Sequence, residues 1–474
     1  MVCDLKNVSI VGVVGLGVMG RNLALNMVEK GFGVIAYDPW ARAREKFINS
    51  LSSDEAELVV VADSYKAMVE AVEVPRTVLV MVKAGELVDD VICALTPYLL
   101  AGDILIDGGN SHYVDTIRRE TQLKKQGMYF LGLGVSGGEK GARHGSSLMA
   151  GGDPTAYEIA RPVLEAIAAR FDNIPCCALL GPNGAGHFVK MIHNGIEYGV
   201  MQLITEIYLL LRDVVGLNYE SMANVFHKWD QTELASYLVE ITSNILKKID
   251  EETGAPLLEM ILDKAGQKGT GRWSSEAALA THIPAPTITE AVFARAMASL
   301  KEERVAASGI LVGPMTSPTV SQSEEFIDAL RQALLMATII TYAQGLAVIQ
   351  AASRENSWCI ELGQVASIWR AGCVIRASLL GDVMRAYQDD QPQNLMLAKT
   401  ISKTLETAQG GLRLAISKAV DAGIPVPGLS SALAYFDGYR SAKSGANLIQ
   451  AQRDSFGAHT YERIDQPGIF HSQW

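Results

Sequence analysis

From residue 8 to about residue 183 the chain alternates short apolar, largely β-branched runs with amphipathic stretches of helical period. The runs are VSIVGVV, GVIAY, LVVVA, TVLVMV, DILID and MYFLGLGV. Such runs spaced by helical segments predict βαβ units and a parallel sheet covered on both faces. After GPNGAGH, at 181–187, strand signals nearly vanish, and a period near 3.6 residues persists to about residue 440 with Gly and Pro at the joints. The pattern divides the chain into an α/β part over 1–183, an all-helical part over 184–442 and a polar, weakly periodic tail over 443–474. A tail of this kind either frays or packs against something else. The most apolar segment, ALLMATIITYAQGLAVI at 333–349, carries Thr338, Thr341, Tyr342 and Gln344 and is slightly short for a membrane span. It reads as a buried core helix.

Length and composition sharpen this. At 474 residues the chain exceeds the size at which one core keeps growing, and 49% hydrophobic with 20% charged residues is the balance of a globular protein. A formal charge of −11 argues against a nucleic-acid surface, so an anionic ligand requires a local cluster of Lys and Arg. Six scattered cysteines without a CxxC pair, and an N-terminal stretch without the pattern of a signal peptide, point to a reducing cytoplasm.

The first chemical motif is GLGVMG, residues Gly15, Leu16, Gly17, Val18, Met19 and Gly20, placed between a strand and a helix. Glycines there permit a tight turn and let backbone N–H groups approach a pyrophosphate at the helix N-terminus. Asp38 ends the second strand, 23 positions after Gly15. A carboxylate there accepts hydrogen bonds from adenosine ribose hydroxyls and repels a 2′-phosphate, by roughly 4 kcal/mol per charge pair at about 4 Å and an effective dielectric near 20. The expectation is therefore a preference for NAD, although Asp38 could simply cap the turn before Pro39, and Arg42 and Arg44 lie near enough to receive a 2′-phosphate. A second loop, VSGGEKGARHGSSLMAGG, sets Ser136, Gly137 and Gly138 after a strand, a hydroxyl and two bare peptide N–H groups suited to a carboxylate.

In VKMIHNGIEYGV, Lys190, His193, Asn194, Glu197 and Tyr198 fall at helical offsets 0, 3, 4, 7 and 8 and form one stripe. The other faces are apolar and need burial too, so the stripe implies a ligand-filled groove, because unpartnered buried polar groups cost several kcal/mol each. Lys190 and Glu197 make an acid and base pair of opposite sign. His187 and His193 are six apart with no third ligand at a suitable spacing, so no metal site is indicated.

Five segments, VSGGEKGAR, VKMIHNGIEYG, AGQKGTGRW, EAVFARAMASLKEER and LIQAQRDSFGAHTYE, occur in the order in which the decarboxylating 6-phosphogluconate dehydrogenase family carries them, and the chain closely resembles that family from about residue 8 onward. The resemblance implies a Rossmann-type doubly wound coenzyme domain, a large all-helical domain that forms a homodimer contact, and an extended tail that enters the partner's active site. It implies oxidative decarboxylation of 6-phosphogluconate to ribulose 5-phosphate and CO2 with reduction of NAD or NADP. By carry-over, Lys190 is the general base and Glu197 the general acid. Ser136, Gly137, Gly138, His193 and Asn194 hold the carboxylate and neighbouring hydroxyls. Tyr198, Lys268, Thr270 and Arg295 grip the 6-phosphate with Arg453 and His459 of the other tail, while Val82, Lys83, Ala84 and Asn110 border the nicotinamide ribose and, at Asn110, the substrate.

The chain departs from the family pattern at three places. Asp38-Pro39-Trp40 stands where NADP-using members commonly carry Asn-Arg-Ser/Thr, Val200 stands where many carry an aspartate, and SAKSGANL replaces a more proline-containing entry to the tail. A shorter β-hydroxyacid dehydrogenase acting on an unphosphorylated substrate would have no use for Lys268, Arg295 and the tail. A non-catalytic dinucleotide-binding protein would not retain both Lys190 and Glu197.

Overall fold

The computed structural model describes residues 8–267, 269–314 and 323–474. Six of the expected apolar runs form strands β1 (Ile10–Val14), β2 (Gly33–Tyr37), β3 (Val59–Val61), β4 (Thr77–Val80), β5 (Ile104–Asp107) and β6 (Tyr129–Ser136). They run parallel in the order β3-β2-β1-β4-β5-β6, with Val13 in register between Ala36 and Leu79. The order reverses between β1 and β4. Connections leaving those two strands therefore diverge, and a crevice opens beyond their carboxyl ends, as in other Rossmann-type sheets.

The sheet is not parallel throughout. β7 (Ser147–Gly152) lies antiparallel on β6; a small hairpin of β8 (Arg170–Phe171) and β9 (Ile174–Pro175) follows, and β10 (Cys177–Leu179) runs parallel to β7 at the edge. β7 lies inside the segment expected to be one continuous loop, whose Gly138–His144 portion is instead helical. Its glycines and serines hid it, because their value is not strand propensity but thinness. A Cβ on Gly151 would sit 2.3 Å from the backbone nitrogen of Gly186, on the helix packed against this edge.

That helix, Ala185–Asp213, begins the helical part and lies against a second long helix, Glu324–Glu355. The latter contains the apolar segment at 333–349, and its most apolar window is 83% buried, as a core helix should be. Trp358, Trp369 and Tyr342 fill the surrounding core, and the Tyr342 hydroxyl donates to the carbonyl of Ile375 at 2.6 Å. Glu206, fully buried on the Ala185–Asp213 helix, accepts the N–H groups of Gly428 and Leu429 at 2.8 Å each. It caps the helix Pro427–Tyr439, which has no capping side chain of its own. Burial pushes this carboxyl up to about 7, against the hydrogen bonds it accepts.

The tail is more ordered than its composition suggests. It folds into a helix, Ala446–Gly457, and a small antiparallel pair, β11 (Tyr461–Glu462) and β12 (Ile469–Phe470).

The two parts of the chain meet where β6 lacks side chains. A Cβ on Gly132 would lie 2.9 Å from Nδ1 of His187, and one on Gly134 would lie 2.4 Å from Cβ of Lys190. Alternate residues of a strand share a face, and residues three apart share a face of a helix, so these two glycines admit one stripe of the helix. Gly134→Ala should force helix and strand apart, at roughly 1–3 kcal/mol as for other overpacked sites. The expected result is a lower thermal midpoint, checked by calorimetry.

Candidate active site

The glycine loop after β1 has the shape that a dinucleotide requires. Gly15 adopts φ +97°, and a Cβ there would lie 2.4 Å from the carbonyl oxygen of Met81, while one on Gly20 would lie 1.9 Å from that of Gly15. Nothing lies within 4 Å of a Cβ built on Gly17, so the loop is packed beneath and open in front. Leu16 points into the core, Val18 is exposed and Met19 is half-buried. The Asp38 carboxylate, at the end of β2, accepts the Leu16 N–H at 2.8 Å through one oxygen and the Trp40 N–H at 2.9 Å through the other. Capping of the turn is thus real, and the same carboxylate is pinned to the glycine loop. Arg44 donates to the carbonyls of Asp38 (2.6 Å) and Pro39 (3.3 Å) and lies over the Tyr37 ring.

Val82, Lys83 and Ala84 follow β4, with Lys83 exposed and the other two half-buried, and exposed Asn110 follows β5. A buried side chain that nothing in the sequence singled out ties these two loops together. Arg119 donates to both carboxylate oxygens of Asp89 (3.0 and 2.8 Å), to the carbonyl of Gly85 (2.9 Å), to Asp107 (3.4 Å) and to the Ser111 hydroxyl (3.3 Å). Asp107 in turn accepts from the Ser111 hydroxyl at 2.6 Å and the Gly109 N–H at 3.0 Å. Arg119 sits in TIRRE, where one arginine of two faces inward; the amphipathic period marks the inward position, but not its partners.

The polar stripe lies on the helix Ala185–Asp213, as expected. Lys190, His193, Asn194 and Tyr198 are buried, and the Glu197 side chain is 25% exposed. Lys190 Nζ donates to Asn194 Oδ1 at 2.9 Å, and His193 Nδ1 lies 3.1 Å from the same oxygen. Burial, reinforced by the charge of Lys190, holds His193 well below its ordinary value, so the ring is neutral. The shared Asn194 oxygen can only accept; hence Nδ1–H donates to it, and Nε2 accepts from the Ser136 hydroxyl at 3.1 Å. Gly137 and Gly138 follow with φ of +110° and +62°, and the space in front of Gly138 is open. Burial lowers the pKa of Lys190, with Glu197 opposing, and raises that of Glu197, with Lys190 and Arg295 opposing. Desolvation thus draws amine and carboxyl toward each other and makes neutral forms accessible to both.

One cavity is lined by Asn110, Ser111, His187, Lys190, Met191, Asn194, Thr270 and Trp273. Residues of the loop after β5 and of the helix therefore converge. His187 extends the stripe by one further step: its ring bridges the Thr116 hydroxyl (2.7 Å) and the carbonyl of Asp107 (3.1 Å), joining the helix to the Asn110 loop. Its signal in the sequence is the three-residue spacing to Lys190, which places both on one helical face. Farther along, the guanidinium of Arg295 lies 3.3 Å over the Tyr198 ring, and Thr270, buried, begins the helix Thr270–Ala280. Lys268 lies outside the described residues. Arg453 and His459 are exposed on the tail, where Arg453 donates to Gln450 and His459 packs on Phe456.

A family model described as the NAD binding domain of 6-phosphogluconate dehydrogenase matches residues 10–181, and one described as 6-phosphogluconate dehydrogenase, C-terminal domain, matches residues 186–474. The chain is 52% identical over 466 residues, covering 98% of each chain, to the NADP(+)-dependent decarboxylating 6-phosphogluconate dehydrogenase of Bacillus subtilis (strain 168). It is 47% identical over 466 residues, covering 98% of this chain and 99% of the relative, to the NAD(+)-dependent decarboxylating enzyme of that organism. It resembles in structure the 6-phosphogluconate dehydrogenase of Plasmodium falciparum, with a TM-score of 0.92 and 39% identity over 98% of this chain and 100% of that one.

Because Arg119 ties the segments after β4 and β5 together, Arg119→Lys should loosen the coenzyme site before the substrate site. The expected outcome is a several-fold weaker dissociation constant for the dinucleotide by titration calorimetry, with a lowered thermal midpoint.

Proposed function

The chain belongs to the decarboxylating 6-phosphogluconate dehydrogenase family and oxidatively decarboxylates 6-phosphogluconate to ribulose 5-phosphate and CO2 with reduction of NAD(P), and from that premise we propose how its residues carry the reaction. The convergence of Lys190, Asn194, Asn110 and Thr270 on one cavity, with Glu197 two turns along, is the observation that carries the proposal. The glycine loop would hold the pyrophosphate of the dinucleotide, whose nicotinamide would supply the hydride acceptor. Lys190, whose burial favours the uncharged form, takes the proton of the substrate's 3-hydroxyl as that carbon is oxidised. The resulting ammonium returns this proton to the new carbonyl oxygen as CO2 leaves, so the electrons of the broken bond are stored in an enediol. Glu197, whose raised pKa favours the protonated form, then protonates the enediol carbon that lost CO2, while Lys190 takes back the proton of the adjoining hydroxyl to leave the ketone of ribulose 5-phosphate. Asn194 orients the amine, and Ser136, His193, Gly137 and Gly138 hold the carboxylate end. Tyr198, Thr270 and Arg295, with Lys268, hold the 6-phosphate end, whose remote binding energy aligns the reacting carbons.

Three finer readings go with this one. The coenzyme is NAD in preference to NADP: Asp38 presents its carboxylate at the ribose position, and Arg44 is committed to backbone carbonyls. The protein works as a homodimer whose tail delivers Arg453 and His459 to the partner's phosphate site. Exposed Leu279, Phe293, Met297 and Leu311 on the helical part, and Leu448, Ile449 and Phe456 on the tail, support a covered surface. Boundaries near 183 and 442 separate the two domains and the tail, and the five described cysteines, all free thiols, suit a reducing cytoplasm.

Lys190→Met should lower kcat by roughly 10³-fold, within the range removed with a general base. Mixed dimers of Lys190→Met and Arg453→Met subunits should regain one working site if the tail crosses; no regain would place the tail in its own subunit. Initial rates at matched subsaturating concentrations should favour NAD over NADP by at least about tenfold, from the charge repulsion at Asp38, and Asp38→Asn should narrow that ratio.

A further inference from the structure

Within the tail, one side chain is out of place. Residues around it are open to solvent, yet Asp454 is fully buried. Four donors converge on its carboxylate: the Thr460 N–H (2.9 Å) and His471 Nδ1 (2.9 Å) on one oxygen, the Ser472 N–H (3.0 Å) and the Trp474 indole N–H (2.9 Å) on the other. The donors come from two places in sequence, a turn just after the helix Ala446–Gly457 and a segment beyond β12, so the carboxylate closes the tail on itself.

The residues assigned to the phosphate flank this point. Arg453 precedes Asp454 and donates to Gln450 at 3.1 Å, and Gln450 also donates to the carbonyl of Thr460 at 2.5 Å. His459 lies between Ala458 and Thr460, which adopt left-handed φ of +51° and +62°. L-residues seldom hold that conformation unless surrounding contacts fix it. Here the Ala458 N–H is bonded to the Asp454 carbonyl at 2.9 Å and the Thr460 N–H to its carboxylate. Backbone direction at His459 and side-chain direction at Arg453 thus both trace to one residue.

We infer that Asp454 is a positioning residue for phosphate binding: with His471 and Trp474 it clasps 446–474 into a preformed unit that presents Arg453 and His459 together. The inference rests on the proposed role of the tail. It gives residues beyond β12, which the active-site reading leaves without a part, a function in substrate affinity. A carboxylate is required chemically, since each of its oxygens accepts from two donors, whereas an amide has one accepting oxygen and would turn N–H groups against two of them. Burial works against its charge, but the bonds from Ser472, His471, Trp474 and Thr460 outweigh this and hold the carboxyl well below the usual range, so the clasp stays charged at neutral pH.

The test compares Asp454→Asn, Trp474→Phe and Arg453→Met in the full-length protein, reading KM for 6-phosphogluconate, KM for the coenzyme, and kcat. The clasp predicts that Asp454→Asn raises KM for 6-phosphogluconate about tenfold, with the coenzyme KM within twofold of the parent, and that Trp474→Phe moves the same constant less. A merely structural role would move both KM values together, and that result, or an unchanged 6-phosphogluconate KM in Asp454→Asn when Arg453→Met raises it, overturns the clasp. An unchanged KM in Arg453→Met overturns instead the assignment of the tail to the phosphate, and the inference with it. If Asp454→Asn does not fold, Trp474→Phe and His471→Ala carry the same comparison.

Discussion

Strand β6 carries hydrogen atoms at Gly132 and Gly134 where other strands carry side chains, and the helix bearing His187 and Lys190 lies in the space this leaves. An amine brought so close to a sheet loses water, and everything chemical about Lys190 follows from that loss. Its neutral form becomes accessible, and Asn194 becomes its hydrogen-bond partner in place of solvent. The same approach sets the helix beside the loop after β5, so that Lys190 and Asn194 share one cavity with Asn110 and Ser111.

Electrostatics in this cavity depend on burial more than on pairing. Lys190 and Glu197 oppose each other's shifts only in part, and desolvation acts on both toward neutrality. A fully formed ion pair would keep the amine protonated and the carboxyl ionised, the opposite of the forms from which the proposed roles start. His193 is held neutral by the same desolvation and serves as a connector, passing the orientation of Asn194 to the Ser136 hydroxyl.

Around this centre, buried charges fix loops that sequence alone leaves free. Arg119 joins the segments after β4 and β5, Glu206 ties the helix Ala185–Asp213 to the N-terminus of the helix Pro427–Tyr439, and Asp454 closes the tail. In each case one ionisable side chain satisfies several backbone or side-chain groups separated in sequence. Each thereby fixes the relative position of segments far apart in sequence, which makes it an organiser of position more than a source of net stability.

Much of this was legible in the chain itself. Periodicity gave six strands and the helical half, because alternation and the 3.6-residue repeat are set by local geometry that neighbours along the sequence share. The stripe from Lys190 to Tyr198 was visible for the same reason, and so were the glycine loop and Asp38, whose chemistry is contained in a few adjacent residues. What only the tertiary structure decided lies in contacts between distant segments. β7 is a strand because it pairs with β6 and β10, with Gly151 leaving room for Gly186, and Arg119 and Asp454 matter because donors or acceptors far along the chain converge on them. Composition marks β7 as a loop and the tail as weakly ordered, since glycine, serine and charge have no local preference for order. Burial against a partner surface reverses that preference, and no periodicity in the chain records which surface the partner will be.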